Sequence, residues 1–94
     1  MRVRWLRTAL TNLNAEADYI ARDNPAAADH VVSAIVEATE RLKRYPALGR
    51  PGRVTGTREL VVPGTPYIIP YHVRAGVVEI IRVFHAARRW PRHF

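Results

Sequence analysis

The sequence contains no cysteine. That excludes a disulfide framework and any thiolate metal site, and it makes an intracellular, cytoplasmic location the expectation. Its single serine, Ser33, lies within a segment patterned as a helix, so a nucleophile elbow, which needs the serine on a sharp strand-to-helix turn, is excluded. No Walker-type loop and no G-x-G-x-x-G after a strand is present, so neither common phosphate-cradling motif is available. The four histidines, His30, His72, His85 and His93, have no metal-ligand spacing, and no metal or other cofactor is expected. No apolar run approaches the ~20 residues of a membrane helix. No apolar stretch with a small-residue cleavage site follows the first arginines, so neither a signal peptide nor membrane association is expected.

Negative charge is also scarce, and only in one half. Residues 1–49 carry seven basic and six acidic side chains, whereas residues 50–94 carry eight arginines against Glu59 and Glu79. The formal net charge of +7 is therefore a property of the C-terminal half, which should attract a phosphate backbone or an acidic protein partner. Glu59 and Glu79 do not form a convincing acid/base pair.

Across its 94 residues the chain reads as one domain, 1–94. "MRVRW" alternates and reads as a strand with Val3 and Trp5 on one face. From there Leu6, Leu10, Leu13, Ala17 and Ile20 recur at helical spacing. That helix should end near Arg22, because the residue before Pro25 is pushed out of the α region. "NPAAADHVVSAIVEATERLKRYP" is a second helix, capped by Asn24 with Pro25 at its first position. Its buried face should hold Ala28, Val31, Val32, Ile35, Ala38, Leu42 and Tyr45. Glu37/Arg41 and Glu40/Arg44 should pair on the outer face. Pro46 stops it. The short connection makes the two helices an antiparallel hairpin.

After Gly56 the chain reads as strands: "TRELVV", "PYIIPYHV" and "VVEIIRVFH", rich in β-branched and aromatic residues. Pro70 cannot donate to a ladder and implies a bulge or an unpaired position. The resulting fold class is α+β, in the order β-α-α-β-β-β. An antiparallel sheet carries the helical hairpin on one face and leaves the other partly open. If Ala75-Gly76 makes a two-residue turn, Tyr67, Ile69, Tyr71, Ile80, Arg82 and Phe84 share one face. Whether Arg58 joins Arg82 depends on register, because a one-residue slip reverses faces.

The candidate functional residues are those left over: Arg50, Arg53, Arg58, Arg82, Arg88 and Arg89, with His85 and Trp90 beside them. Guanidinium forks bind phosphate and carboxylate bidentately, and aromatics stack on bases or guanidinium groups. The set suits an RNA-binding or RNA-cleaving face, and it equally suits a protein-binding face. His85 is the side chain best fitted to proton transfer near neutral pH. Tyr67, Tyr71 and Phe84 read as sheet packing, Trp5 as core, and His72 as the cross-hairpin partner of Glu79.

The stretches "YIARDNPAAADHVV", "LKRYPALGRPGR", "GTRELVV", "PYIIPYHV" and "EIIRVFHAARRWP", in this order and spacing, resemble the RelE/ParE superfamily of bacterial type II toxins. The resemblance spans nearly the whole chain and implies a small basic toxin that arrests growth. It also implies a cognate antitoxin whose acidic, amphipathic segment wraps around the toxin. RelE-like members cut mRNA in the ribosome; ParE-like members poison DNA gyrase. Where the nuclease branch carries lysines after the helix hairpin, this chain has Glu59 and Val61, and where that branch has an arginine on the next strand it has Ile68. Those departures and the ending "RVFHAARRWP" favour the ParE-like branch and gyrase. The alternative is a ribosome-dependent endoribonuclease using Arg58, Arg82, His85 and Arg88.

The segment "GRPGRVTGTR" is the passage from helix to sheet. Gly49, Gly52 and Gly56 permit the sharp turns, and Arg50, Arg53 and Arg58 should line the sheet margin. Because the expected antitoxin segment is acidic and this half is basic, part of the affinity should be electrostatic. A titration of toxin with antitoxin at rising ionic strength should show weakening affinity; a flat response would make the charge asymmetry irrelevant to the complex.

Overall fold

The computed structural model describes residues 1–87 and 90–94. Its elements are β1 (Arg2–Trp5), α1 (Arg7–Ala21), α2 (Pro25–Glu40) closed by a 3₁₀ turn at Arg41–Lys43, β2 (Arg50–Pro51), β3 (Arg58–Val61), β4 (Tyr67–Arg74), β5 (Val77–Ile80) and β6 (Phe84–His85). The expected order of elements holds. Two details differ: the arginine–glycine passage contains a short strand, and the last strand is divided in two.

The sheet runs β1-β5-β4-β3-β2, with β6 beside β4. From β2 to β6 every pairing is antiparallel, whereas β1 enters parallel to β5. A parallel partner needs a long crossover, and here the chain between β1 and β5 includes the helix hairpin. Ala75 and Gly76 make the two-residue turn between β4 and β5, both with positive φ (51° and 73°). That backbone twist matches the twist of the strands it joins.

Both helices cover one face of the sheet. Ala9 and Leu13 of α1 and Ile35, Ala38 and Leu42 from α2 and its 3₁₀ turn pack on Leu60, Ile69, Tyr71, Val78 and Ile80. Asn24 caps α2, its side chain accepting from the Ala27 amide at 3.1 Å. The expected stripe of α1 holds at Leu13 but is displaced elsewhere, since Leu10 is 45% exposed and Ala9 and Glu16 are buried. The Leu6 amide continues the ladder to the Ile80 carbonyl (3.0 Å), and this sets where the helix begins and which residues it turns inward. Tyr45, expected in the core, is 57% exposed. The chain tightens to three residues per turn after Glu40, which changes the phase of the stripe. The same tightening brings Lys43, not Arg44, to Glu40 (2.6 Å, three residues on). Among the described residues Glu37 makes no ion pair with Arg41. No helix among them is long and apolar enough to cross a membrane, and no cluster of three metal-ligating side chains occurs.

The passage from helix to sheet is pinned from the core. The buried Tyr71 hydroxyl donates to the Pro46 carbonyl (2.7 Å) and accepts from the Gly49 amide (2.8 Å). Burial pushes its pKa up, opposed by the Gly49 hydrogen bond and by the Arg58 charge, so the hydroxyl stays a donor through the neutral range. A Cβ at Gly49 would stand 2.6 Å from the Tyr71 ring and 2.9 Å from the Glu59 carbonyl, which explains glycine there. Tyr71→Phe keeps the ring but strands a buried amide and a carbonyl, so it should cost about 2 kcal/mol. Urea unfolding of the two proteins checks this, and a loss under about 0.5 kcal/mol, below the net worth of one such bond, would show that the pin is unimportant.

Candidate functional site

The faces of the last two strands are decided at Pro70. The Ile81 amide donates to the Pro70 carbonyl (3.0 Å), and a residue's N and C=O point to the same side of a strand, so the proline nitrogen also faces Ile81. With no N–H it cannot return the bond. The register then slips by one: Tyr71 pairs with Ile80, but Ile68 pairs with Phe84 and Tyr67 with His85. Two residues oppose one, which is a β-bulge. Its loose ends are satisfied. Arg82 Nη1 donates to the Ile81 carbonyl (3.0 Å), and the Val83 amide donates to the Asn12 side chain of α1 (3.2 Å).

The bulge overturns the expected facing. Phe84 stands with Ile68 on the open face, and Arg82 joins His72 and Arg74 there. Val83 takes the core position, and His85 turns to the helix-covered face. Arg58, paired with the buried Tyr71, is also on the covered face, where it donates to the Gly49 carbonyl (2.8 Å). Arg58 and Arg82 therefore do not share a face.

Glu59, only 2% exposed, organises the open-face margin. It accepts from Arg50 Nη2 and Nε (3.1 and 3.3 Å) and from the Arg53 amide (2.8 Å), with Arg53 Nε at 3.6 Å. A buried carboxylate needs such partners. Arg50 and Arg53 thus neutralise an internal charge before they can serve a partner. This role was not anticipated. The available signal was a lone acid directly after a run of arginines.

Above that margin the tail returns over the open face. Trp90 packs on Phe84 (ring centroids 4.6 Å apart) and Phe94 stacks on Phe84 at 6.2 Å. The Arg53 guanidinium lies 4.2 Å from the Trp90 ring centroid, and Arg82 lies 5.5 Å from that of Phe94. Both are cation–π distances. The indole N–H of Trp90 is buried with no hydrogen-bond partner among the described residues.

Of the residues singled out in the sequence, Arg50, Arg53, Arg82 and Trp90 gather on the open face. Arg58 and His85 lie on the covered face, and Arg88 and Arg89 fall outside the described residues. His85 meets Tyr67 edge-on at 5.6 Å. Its Nδ1 accepts from the Ala87 amide (3.2 Å), which leaves Nε2 to carry the proton in the neutral ring. It lines an apolar groove of about 450 Å³ with Tyr19, Ile20, Val31 and Tyr67. On the open face of β5, Glu79 bonds Arg4 and also His72 (2.8 Å), so the expected cross-hairpin pair forms.

Residues 3–90 match the family model described as the ParE toxin of the type II toxin–antitoxin system parDE. The chain is 48% identical over 91 residues to Y4kP of Sinorhizobium fredii, covering 97% of this chain and 94% of that one. It is 40% identical over 84 residues to Toxin RelE2 of Caulobacter vibrioides, covering 89% and 93%. Among solved structures it superposes on a chain of the chromosomal ParDE system from P. aeruginosa with TM-score 0.81 and 31% identity, covering 90% and 95%. A chain of the RelBE2 toxin–antitoxin complex from Mycobacterium tuberculosis gives TM-score 0.65 and 29% identity, covering 89% and 95%.

The Arg4 and His72 hydrogen bonds hold the Glu79 carboxyl below its usual range, against a burial effect that raises it. A depressed carboxylate contributes stability above the unfolded value, near 4.5, and loses it as pH falls through the folded value. Glu79→Gln should therefore be less stable than the parent at neutral pH, with the gap closing as pH falls below about 4.5. Urea unfolding measured from neutral to acid pH checks this; a constant gap would show that the ionised carboxylate is not the stabilising form.

Proposed function

This chain belongs to the ParE toxin family of type II toxin–antitoxin systems, and from that premise we propose that it arrests bacterial growth by binding and inhibiting DNA gyrase. In this reading the toxin breaks no bond itself. The observation that carries it is the arrangement of the basic groups. A nuclease must bring a proton carrier and positive charge to one scissile phosphate. Here His85 and Arg58 lie on the covered face while Arg82 lies on the open one. Where the nuclease branch has lysines, Glu59 is buried and already engaged by Arg50 and Arg53.

What the open face offers instead is a recognition surface. Trp90, Phe84 and Phe94 are framed by Arg53 and Arg82, and tryptophan and arginine are the side chains that most often dominate protein interfaces. A cognate antitoxin neutralises the toxin. Its acidic, amphipathic segment fits the apolar groove beside Tyr19, Ile20 and Val31, folding as it binds. Gyrase and antitoxin both meet the toxin in the cytoplasm.

Supercoiling by purified gyrase and cleavage of mRNA on programmed ribosomes separate the two activities. The toxin should inhibit supercoiling and leave message intact, and Trp90→Ala should raise the half-inhibitory concentration about tenfold or more, as loss of an interface anchor does. Codon-specific cuts abolished by His85→Ala or Arg82→Ala, with gyrase untouched, would replace this reading with the endoribonuclease one.

A further inference from the structure

The open face has a second feature at the β4–β5 end, which shares Arg82 and Phe94 with the proposed gyrase surface and adds His72, Arg74 and His93. A cleft of about 390 Å³ is lined by His72, Arg74, Arg82 and His93, with Ile81 and Phe94 among its apolar walls. No side-chain carboxylate lines it among the described residues. Glu79, which reaches the lining His72, is also bonded to Arg4. Arg82 spends one N–H on the Ile81 carbonyl, and a guanidinium has five, so donors remain. Arg74 makes no ion pair among the described residues and is exposed at the mouth.

Two guanidinium groups lining one cleft with no acidic side chain in its wall match a phosphate group better than a neutral ligand. The volume exceeds what a lone phosphate would fill and falls in the range of small-molecule sites, roughly 300–1,000 Å³. The Phe94 ring, which already carries Arg82 at 5.5 Å, gives the cleft an aromatic wall for a planar group.

We propose that this cleft binds a nucleoside phosphate, with Arg74 and Arg82 on the phosphate, His93 closing on it, and the base against Phe94. The ligand is either a free nucleotide or one unit of a nucleic-acid strand. The cleft shares Arg82 and Phe94 with the proposed gyrase surface, so its test is read through Arg74 and His93, which belong to no part of that reading.

The test is fluorescence anisotropy on the full-length toxin with two probes, a labelled short single strand of mixed sequence and a labelled adenosine nucleotide. At least one probe should bind saturably. Arg74→Ala should weaken that binding about tenfold and lower its salt slope by about one, while Arg74→Lys keeps the slope. His93→Ala should weaken binding too, and Arg22→Ala, at the end of α1, should change nothing. Binding of the nucleotide, displaced by its unlabelled form, assigns the cleft to free nucleotides; binding of the strand alone assigns it to nucleic acid. The proposal is overturned if neither probe saturates or if Arg74→Ala and His93→Ala bind like the parent. It is also overturned if polyglutamate displaces the probe as well as an unlabelled strand does, since the cleft would then be a general anion surface. Each variant's far-UV circular dichroism should match the parent's, since Arg74 and His93 are exposed.

Discussion

At position 70 the central strand presents to its neighbour a nitrogen that carries no hydrogen. The ladder can accept one bond there, from the Ile81 amide at 3.0 Å, but cannot return it. The neighbouring strand absorbs the mismatch with one extra residue, and every side chain beyond that point changes face. Arg82, Phe84 and His85 are all beyond it or within it. The open-face aromatic cluster, the basic cleft beside it and the removal of His85 to the helix side are consequences of one missing donor. The cost is contained because both freed groups find partners, the Ile81 carbonyl with Arg82 and the Val83 amide with Asn12. The second partner ties α1 to the bulge.

A second pair of contacts explains how so polar a passage as residues 49–58 is held still. It is fastened from both sides of the sheet by adjacent rungs. On the covered side the Tyr71 hydroxyl holds Pro46 and Gly49 while Arg58 holds the Gly49 carbonyl. On the open side Glu59 holds Arg50 and the Arg53 amide. Register puts Arg58 opposite Tyr71 and Glu59 opposite Pro70, so the two fasteners are consecutive residues pointing opposite ways. Arg53, held at its backbone, can then set its guanidinium over Trp90. Part of the positive charge that looks available in the sequence is thus spent inside the molecule. The basic groups left to a partner lie further along the open face.

The two faces consequently have different chemistry. The covered side exposes an apolar groove at its edge, with Tyr19, Ile20 and Val31, suited to an amphipathic segment. The open side displays aromatic rings and guanidinium groups, suited to a folded or anionic partner.

The sequence by itself determined the order of elements, the helix hairpin with its Asn24-Pro25 start, the Ala75-Gly76 turn and the His72–Glu79 pair. Each of these rests on local chemistry: periodicity, capping, positive φ or a fixed two-residue offset. It also located the anomaly at Pro70, since a proline's missing hydrogen is visible in any register. What it could not say is how the neighbouring strand would respond. A one-residue slip costs little locally yet reverses every later side chain, so the separation of Arg58 from Arg82 and the outward turn of Phe84 were decided by pairing between distant strands. The inward rotation of Ala9 in place of Leu10 followed likewise from the Leu6–Ile80 ladder bond. The burial of Glu59 was decided the same way, because only the folded sheet brings Arg50 and Arg53 around one carboxylate and makes it an internal charge.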